Sequence, residues 1–221
     1  MTVLSSALLA GCGKDEHGRS CSGGAGKDLS GRTVAGGDLW QKKLRCVNLE
    51  RSTLTGLVSE ANLRRGNLYK ARLAGVSLEN VDLRGADLRR ADLTSATLSE
   101  VDLRGADLSD ATLGKGLLND VSFDGARLDG VNLREASLTH VGLIKTDLSG
   151  ADLAGATVSD SDLRGARLRE ADISTTSWEN VVCPDGSRSS ARVSCADRLT
   201  RAAPRAPAQP PESSDGLADS L

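Results

Sequence analysis

Any chemistry in this chain would have to come from two histidines, five cysteines and a long series of regularly spaced aspartates. His17 sits in a polar, glycine-rich stretch and His140 in a regular one, and no motif sets a serine or cysteine beside either. A hydroxyl or thiol becomes a nucleophile only with a positioned base, so nucleophilic catalysis has no visible machinery. His17 and Cys21 offer two ligands, fewer than the three or four that hold zinc, and no metal is expected. The aspartates recur at one phase, as solvated structural carboxylates would, rather than as a pair with split acid and base roles. No glycine-rich phosphate loop or nucleotide fingerprint is present. No catalytic residue and no cofactor follow from the sequence, and an enzyme is the disfavoured class.

Composition says what must position these residues. Aromatics make up 2% of the 221 residues, namely Trp40, Tyr69, Phe123 and Trp178. An ordinary core draws much of its buried area from aromatics, so this one must bury a repeated aliphatic instead. Every fifth residue from Val58 to Trp178 is apolar, and all but Val58, Phe123, Val158, Ile173 and Trp178 are Leu. Two places before each stands a small residue, from Gly56 and Ala61 to Ala151 and Thr176. Twelve of the residues between are Asp or Asn, as in Ala61-Asn62-Leu63 and Ala86-Asp87-Leu88. Upstream, Leu29, Val34, Leu39, Leu44, Leu49 and Leu54 keep the spacing one position out of frame, so one residue is missing near Thr55–Val58. Lys27, Arg32 and Lys42 stand where small residues belong in that stretch.

A period of five suits neither regular element. On a helix it walks around the cylinder by about 140° per step, and a two-faced strand needs strict alternation. The unit small–polar–Leu–x–x reads as in, out, in, followed by a two-residue corner. The chain would turn at every repeat and stack Leu over Leu. Hexapeptide solenoids and leucine-rich repeats have other periods.

These residues resemble the pentapeptide-repeat family, whose motif is A-(D/N)-L-x-x. The resemblance implies an all-β fold, a right-handed quadrilateral parallel β-helix, over residues 27–182. Four repeats would make one square coil of twenty residues, giving nearly eight coils at roughly one strand spacing each. Residues twenty apart would then stack, placing Arg64, Arg84 and Arg104 on one face beside Asn62, Asp82 and Asp102. That face is either a self-neutralising Arg–Asp ladder or a site for an anion or partner.

The ends read differently. Leu9-Ala10-Gly11-Cys12 resembles a bacterial lipobox, in which a signal peptidase cuts before the cysteine and that cysteine carries lipid. The apolar stretch is too short to span a bilayer. A signal opens with a basic segment, which this chain lacks before Cys12; either the true start lies upstream or the match is accidental. On this reading residues 1–11 are signal, 12–26 a lipidated tether, 183–197 a cap loop and 198–221 a disordered tail rich in Ala, Pro and Ser. With Cys12 lipidated, an odd count of five becomes four: Cys21, Cys46, Cys183 and Cys195. Nearest pairs would close one disulfide loop at each end of the rod; reduced thiols are the alternative.

The chain carries 28 Lys+Arg against 30 Asp+Glu, so its overall charge selects no polyanionic partner. Lys27 to Arg90 holds a formal +6, and Ala91 to Val182 a formal −8. The reading is a non-catalytic, extracytoplasmic, membrane-anchored lipoprotein whose rod binds a protein or cell-envelope partner, with no nucleic acid expected. The alternative, taken from the family, is a cytoplasmic DNA mimic that binds DNA gyrase and shields it from inhibitors. Mimicry needs a markedly anionic rod, and only the later half resembles one.

Overall fold

The structure, a computed structural model, describes residues 26–189 and Cys195. The chain winds into a parallel β-solenoid of about seven turns, four sides to a turn. Nine three-residue strands lie among the described residues. They are β1 (Thr33–Ala35), β2 (Thr53–Thr55), β3 (Leu57–Ser59), β4 (Ser77–Glu79), β5 (Thr97–Ser99), β6 (Leu117–Asn119), β7 (Ser137–Thr139), β8 (Thr157–Ser159) and β9 (Ser177–Glu179). Strands β3 to β9 stack in chain order as a seven-stranded parallel sheet on the third side of each coil. In the opening coil a 3-10 turn, Gly36–Leu39, takes the strand's place on that side. On the second side β1 pairs with β2, and the other sides are otherwise held by single parallel bridges such as Asp82↔Asp102 and Asp87↔Asp107.

The core is the Leu column. Leu63, Leu83, Leu103 and Phe123 are at most 1% exposed, and the small residues beside them, including Val81, Val101 and Val121, are as deeply buried. A larger residue at the small position would strike the neighbouring coil, because interiors are close-packed. Where polar small residues replace Ala, their hydroxyls are satisfied inside: Thr146 Oγ1 donates to Phe123 O at 2.9 Å, and Ser52 Oγ to Leu49 O at 2.7 Å.

The corners explain the remaining two positions. The Leu63 carbonyl accepts from Gly66 N at 2.9 Å, and Leu83 and Leu103 do the same three residues on. The residue before each acceptor's partner has positive φ, at Arg65 (55°), Gly85 (63°) and Gly105 (64°). That is the type II turn, which needs φ > 0 at its third residue.

Register shows the expected slip and its cause. Coils pair at an offset of twenty, as in Thr33↔Thr53 and Ser77↔Thr97, but Lys43↔Asn62, Asn48↔Asn67 and Thr53↔Arg72 pair at nineteen. Gly56, at φ 75°, leads straight from β2 into β3. The inward small residue that Val76 supplies one coil later is the one missing. Gly36 of the opening coil lies against this joint, and a Cβ there would overlap the Leu57 carbonyl.

Candidate functional site

Each Asp or Asn of the repeat has a local task that residue spacing alone did not assign. All twelve accept the backbone N–H two residues on; Asp82 Oδ1 to Arg84 N at 3.2 Å, Asp92 to Thr94 at 3.0 Å and Asn132 to Arg134 at 3.0 Å are examples. The side chain imitates a backbone turn and ties down the corner that follows. The signal was present in the sequence, since Asp and Asn are the residues that make this turn and Glu never fills the position.

On the fourth side the same carboxylates also hold arginines. Arg84 donates through Nε to Asp82 Oδ1 at 2.9 Å and through Nη2 to Asp82 Oδ2 at 2.6 Å. Its Nε also lies 3.3 Å from Asp102 Oδ2 in the next coil. Arg104 grips Asp102 with the same two-pronged geometry, and Arg164 meets Asp162 at 2.6 Å. Arg64 differs, because its neighbour is the uncharged Asn62. Arg64 N takes Asn62 Oδ1 at 3.2 Å, and the guanidinium Nε is shielded from solvent without a hydrogen-bond partner. The predicted trio therefore stacks, with Arg84 and Arg104 each committed to a carboxylate and Arg64 outside the ladder.

These contacts set the proton affinities. Burial works to raise the carboxyls of Asp87, Asp102 and Asp162, but side-chain and backbone hydrogen bonds from Arg89, Arg104 and Arg164 outweigh it and leave all three below their ordinary value. The hydrogen bonds that Arg84 donates to Asp82 and Arg89 to Asp87 raise the two guanidiniums above their ordinary value. A second ladder crosses the first side: Asn67 Nδ2 donates to Asn48 Oδ1, and Asn48 Nδ2 to Asp28 Oδ1, both at 3.1 Å.

A shallow open groove follows the corner between third and fourth sides, lined by Glu60, Asn80, Glu100, Asp82, Arg84 and Asp102. His140, on the same corner, has Nδ1 4.0 Å from Asp120. No cluster of three or more metal-ligating side chains occurs among the described residues. His17, Cys12 and Cys21 lie outside them.

At the C-terminal end the chain doubles back. Val182 pairs antiparallel with Arg188, Val181 N donates to Ser189 Oγ at 2.8 Å, and Cys183 forms a disulfide with the buried Cys195. This return strand covers backbone that a solenoid end would otherwise leave open. Near the other end Cys46 is also disulfide-bonded.

Stacked similar coils, a Leu-filled interior and turn-forming carboxylates define a structural repeat protein, of a class that is generally non-catalytic. The family's pattern, pentapeptide repeats in eight copies, matches residues 59–94, 71–110, 117–153 and 146–176. The chain belongs to the pentapeptide-repeat family. Among solved structures it is similar to HetL, a pentapeptide-repeat protein involved in heterocyst differentiation regulation in the cyanobacterium Nostoc, with 25% identity and a TM-score of 0.42 over 73% of this chain and 89% of that one. Full-length QnrB1, a plasmid-mediated fluoroquinolone resistance protein, is 18% identical, with a TM-score of 0.43 over 71% and 81%. Another Nostoc pentapeptide-repeat protein, alr5209, is 35% identical over 44% and 71%, with a TM-score of 0.20. No curated protein matches the sequence.

Proposed function

We propose that this protein is an exported bacterial lipoprotein, anchored through Cys12, whose rod serves as a non-catalytic binding scaffold for a protein or cell-envelope partner. The observation that carries the reading is oxidation of cysteines toward both ends of the rod, Cys46 near one and Cys183–Cys195 at the other. Such bonds persist in oxidising compartments and are rare in the cytosol. Removing Cys12 from the thiol count leaves an even four, with Cys21 as the partner for Cys46. The Arg–Asp pairs of the fourth side weigh against DNA mimicry, because Asp82, Asp102 and Asp162 are neutralised in place.

Mass spectrometry of the protein from its native host, expressed from its genomic start, tests this. The mature chain should begin at a diacylated or triacylated Cys12 and run four mass units light for two disulfides. Two chains anchor lastingly where one is marginal. An unmodified Cys12 with four free thiols downstream would falsify the export reading.

A further inference from the structure

Three large apolar side chains stand exposed among the described residues: Trp40 at 53%, Leu57 at 49% and Leu117 at 58%. Two of them belong to adjacent coils at the N-terminal end. Trp40 ends the 3-10 turn of the opening coil, and Leu57 begins β3 directly beyond it, with Gly36 of that turn packed on the Leu57 carbonyl. Two neighbouring cations, Lys42 and Lys43, form no ion pair among the described residues, whereas Arg84, Arg89, Arg90 and Arg104 higher up are each held by an aspartate.

We infer that this end of the rod is a contact surface for an anionic lipid bilayer, met end-on. An exposed Trp with lysines beside it is the arrangement that settles at a headgroup interface: the indole fits the boundary, and lysine stems lie along apolar surface while their charges reach phosphate. Each cation near such a surface is attracted within a Debye length. The inference rests on the proposed anchoring and deepens it, because Gly26, where the described chain begins, opens this same coil. Thirteen residues separate it from Cys12, a stretch spanning at most about 50 Å over its fourteen residue-to-residue steps. A lipidated Cys12 would therefore hold the rod near the membrane without fixing its orientation, and a weak local contact gains strongly from that enforced proximity. The contact surface lies apart from the Arg84–Arg104 ladder, whose charges are already paired.

The test uses the full chain carrying Cys12→Ser, so that no acyl group contributes, with Trp178→Phe to leave Trp40 as the reporting indole. It is mixed with phosphatidylcholine vesicles containing phosphatidylglycerol and brominated acyl chains. Trp40 emission should shift to the blue and be quenched, and both effects should fade as salt is raised. In the Trp178-containing background, Trp40→Ser with Leu57→Ser should weaken sedimentation with the vesicles about tenfold or more. Leu117→Ser should leave it unchanged, since Leu117 lies three coils, ~14 Å, farther up the same side. Unquenched Trp40, undiminished binding by the double variant, or an equal loss from Leu117→Ser would each overturn the end-on contact. Cys12 acylation is read separately by mass, so quenching without acylation sinks the anchor alone, and acylation without quenching sinks this contact alone.

Discussion

At the residue scale, the repeat's aspartate is first a turn former and only second a charge. Asp102 accepts Arg104 N at 3.2 Å and also grips the Arg104 guanidinium. Asn fills the same position at Asn62, Asn67 and Asn132 with the same backbone bond. Asp102→Asn should therefore change stability by less than ~1 kcal/mol, because surface ion pairs contribute little. Asp102→Ala should cost ~1–2 kcal/mol by leaving the Arg104 N–H without its acceptor. Urea unfolding of both variants would decide it, and equal losses would mean that the ion pair stabilises the corner more than the turn bond does. The same carboxylates set the acid limit. Asp28, Asp87, Asp92, Asp102, Asp147, Asp162 and Asp172 all lie below their ordinary value of 3.8. The folded chain then binds fewer protons than the unfolded chain in that range, so stability falls as pH drops. It should be complete above about pH 5 and decline below about pH 4. Thermal melts from about pH 6 to about pH 2.5 would measure this, and Asp102→Asn should flatten the slope slightly.

At the element scale, one coil is the unit of stability. Leu103 is fully buried, stacked between Leu83 below and Phe123 above through the Asp82↔Asp102 and Asp102↔Ser122 bridges. Leu103→Ala should cost ~2–5 kcal/mol through lost burial and a residual cavity, while Leu103→Asp should unfold the neighbouring coils. A Leu103→Asp chain as stable as its parent in denaturant would mean that the buried register is wrong. The corner makes a separate demand. Gly105 has φ 64° with nothing within 4 Å of a Cβ, so a substitution there reports backbone strain alone. Gly105→Val should lose ~1–2 kcal/mol, and Gly105→Asn distinctly less, because Asn tolerates this conformation. Calorimetry of the two variants would separate them.

Much of this was legible in the sequence because the repeat states inward position directly. A Leu every fifth residue and a small residue two before it are spatial instructions, and the frame shift between Leu54 and Leu63 marks the nineteen-residue coil. The corner conformation was less legible. Position five admits Arg65, Lys70, Glu100 and Thr175 as well as glycine, all at positive φ, so no residue type announces it. The strands of the third side were hidden for a related reason. Ser77, Thr97, Leu117 and Ser137 share the outward position there, and only their lack of Asp or Asn hints that no side-chain turn closes that side. The end contact was unreadable because Trp40 precedes the regular frame, and its exposure depends on the 3-10 turn that displaces a strand.

At the scale of the whole molecule, charge and exposed apolar area both vary along the axis. Lower coils carry an excess of cations, Lys42 and Lys43 among them without an ion pair among the described residues, and an exposed indole, whereas upper coils carry aspartates, many of them paired with arginines. A rod so graded has a foot and a head. Its third side, with seven parallel strands whose first residues from Leu57 to Ser177 are uncharged and whose outward charges are Glu79 and Glu179, rises from that foot at a fixed orientation.

The twenty-residue coil makes the molecule a counter as well as a scaffold. Excising Ala86–Gly105 removes one whole revolution: Asp107 then follows the coil of Asn67 in the place of Asp87, and every column above stays on its own side. Such a chain should melt cooperatively with unchanged circular dichroism per residue, one strand spacing of ~4.8 Å shorter. Excising Ala86–Arg90 keeps every Leu inward yet turns all that follows through a quarter revolution. Asp102 would then sit on the strand side, away from Arg84, and the seven-stranded sheet would break between β4 and β5. That chain should melt well below the one missing four times as many residues. Length in this molecule is therefore divisible by twenty without penalty and by five only with loss of its faces, so the phase of an insertion matters more than its size.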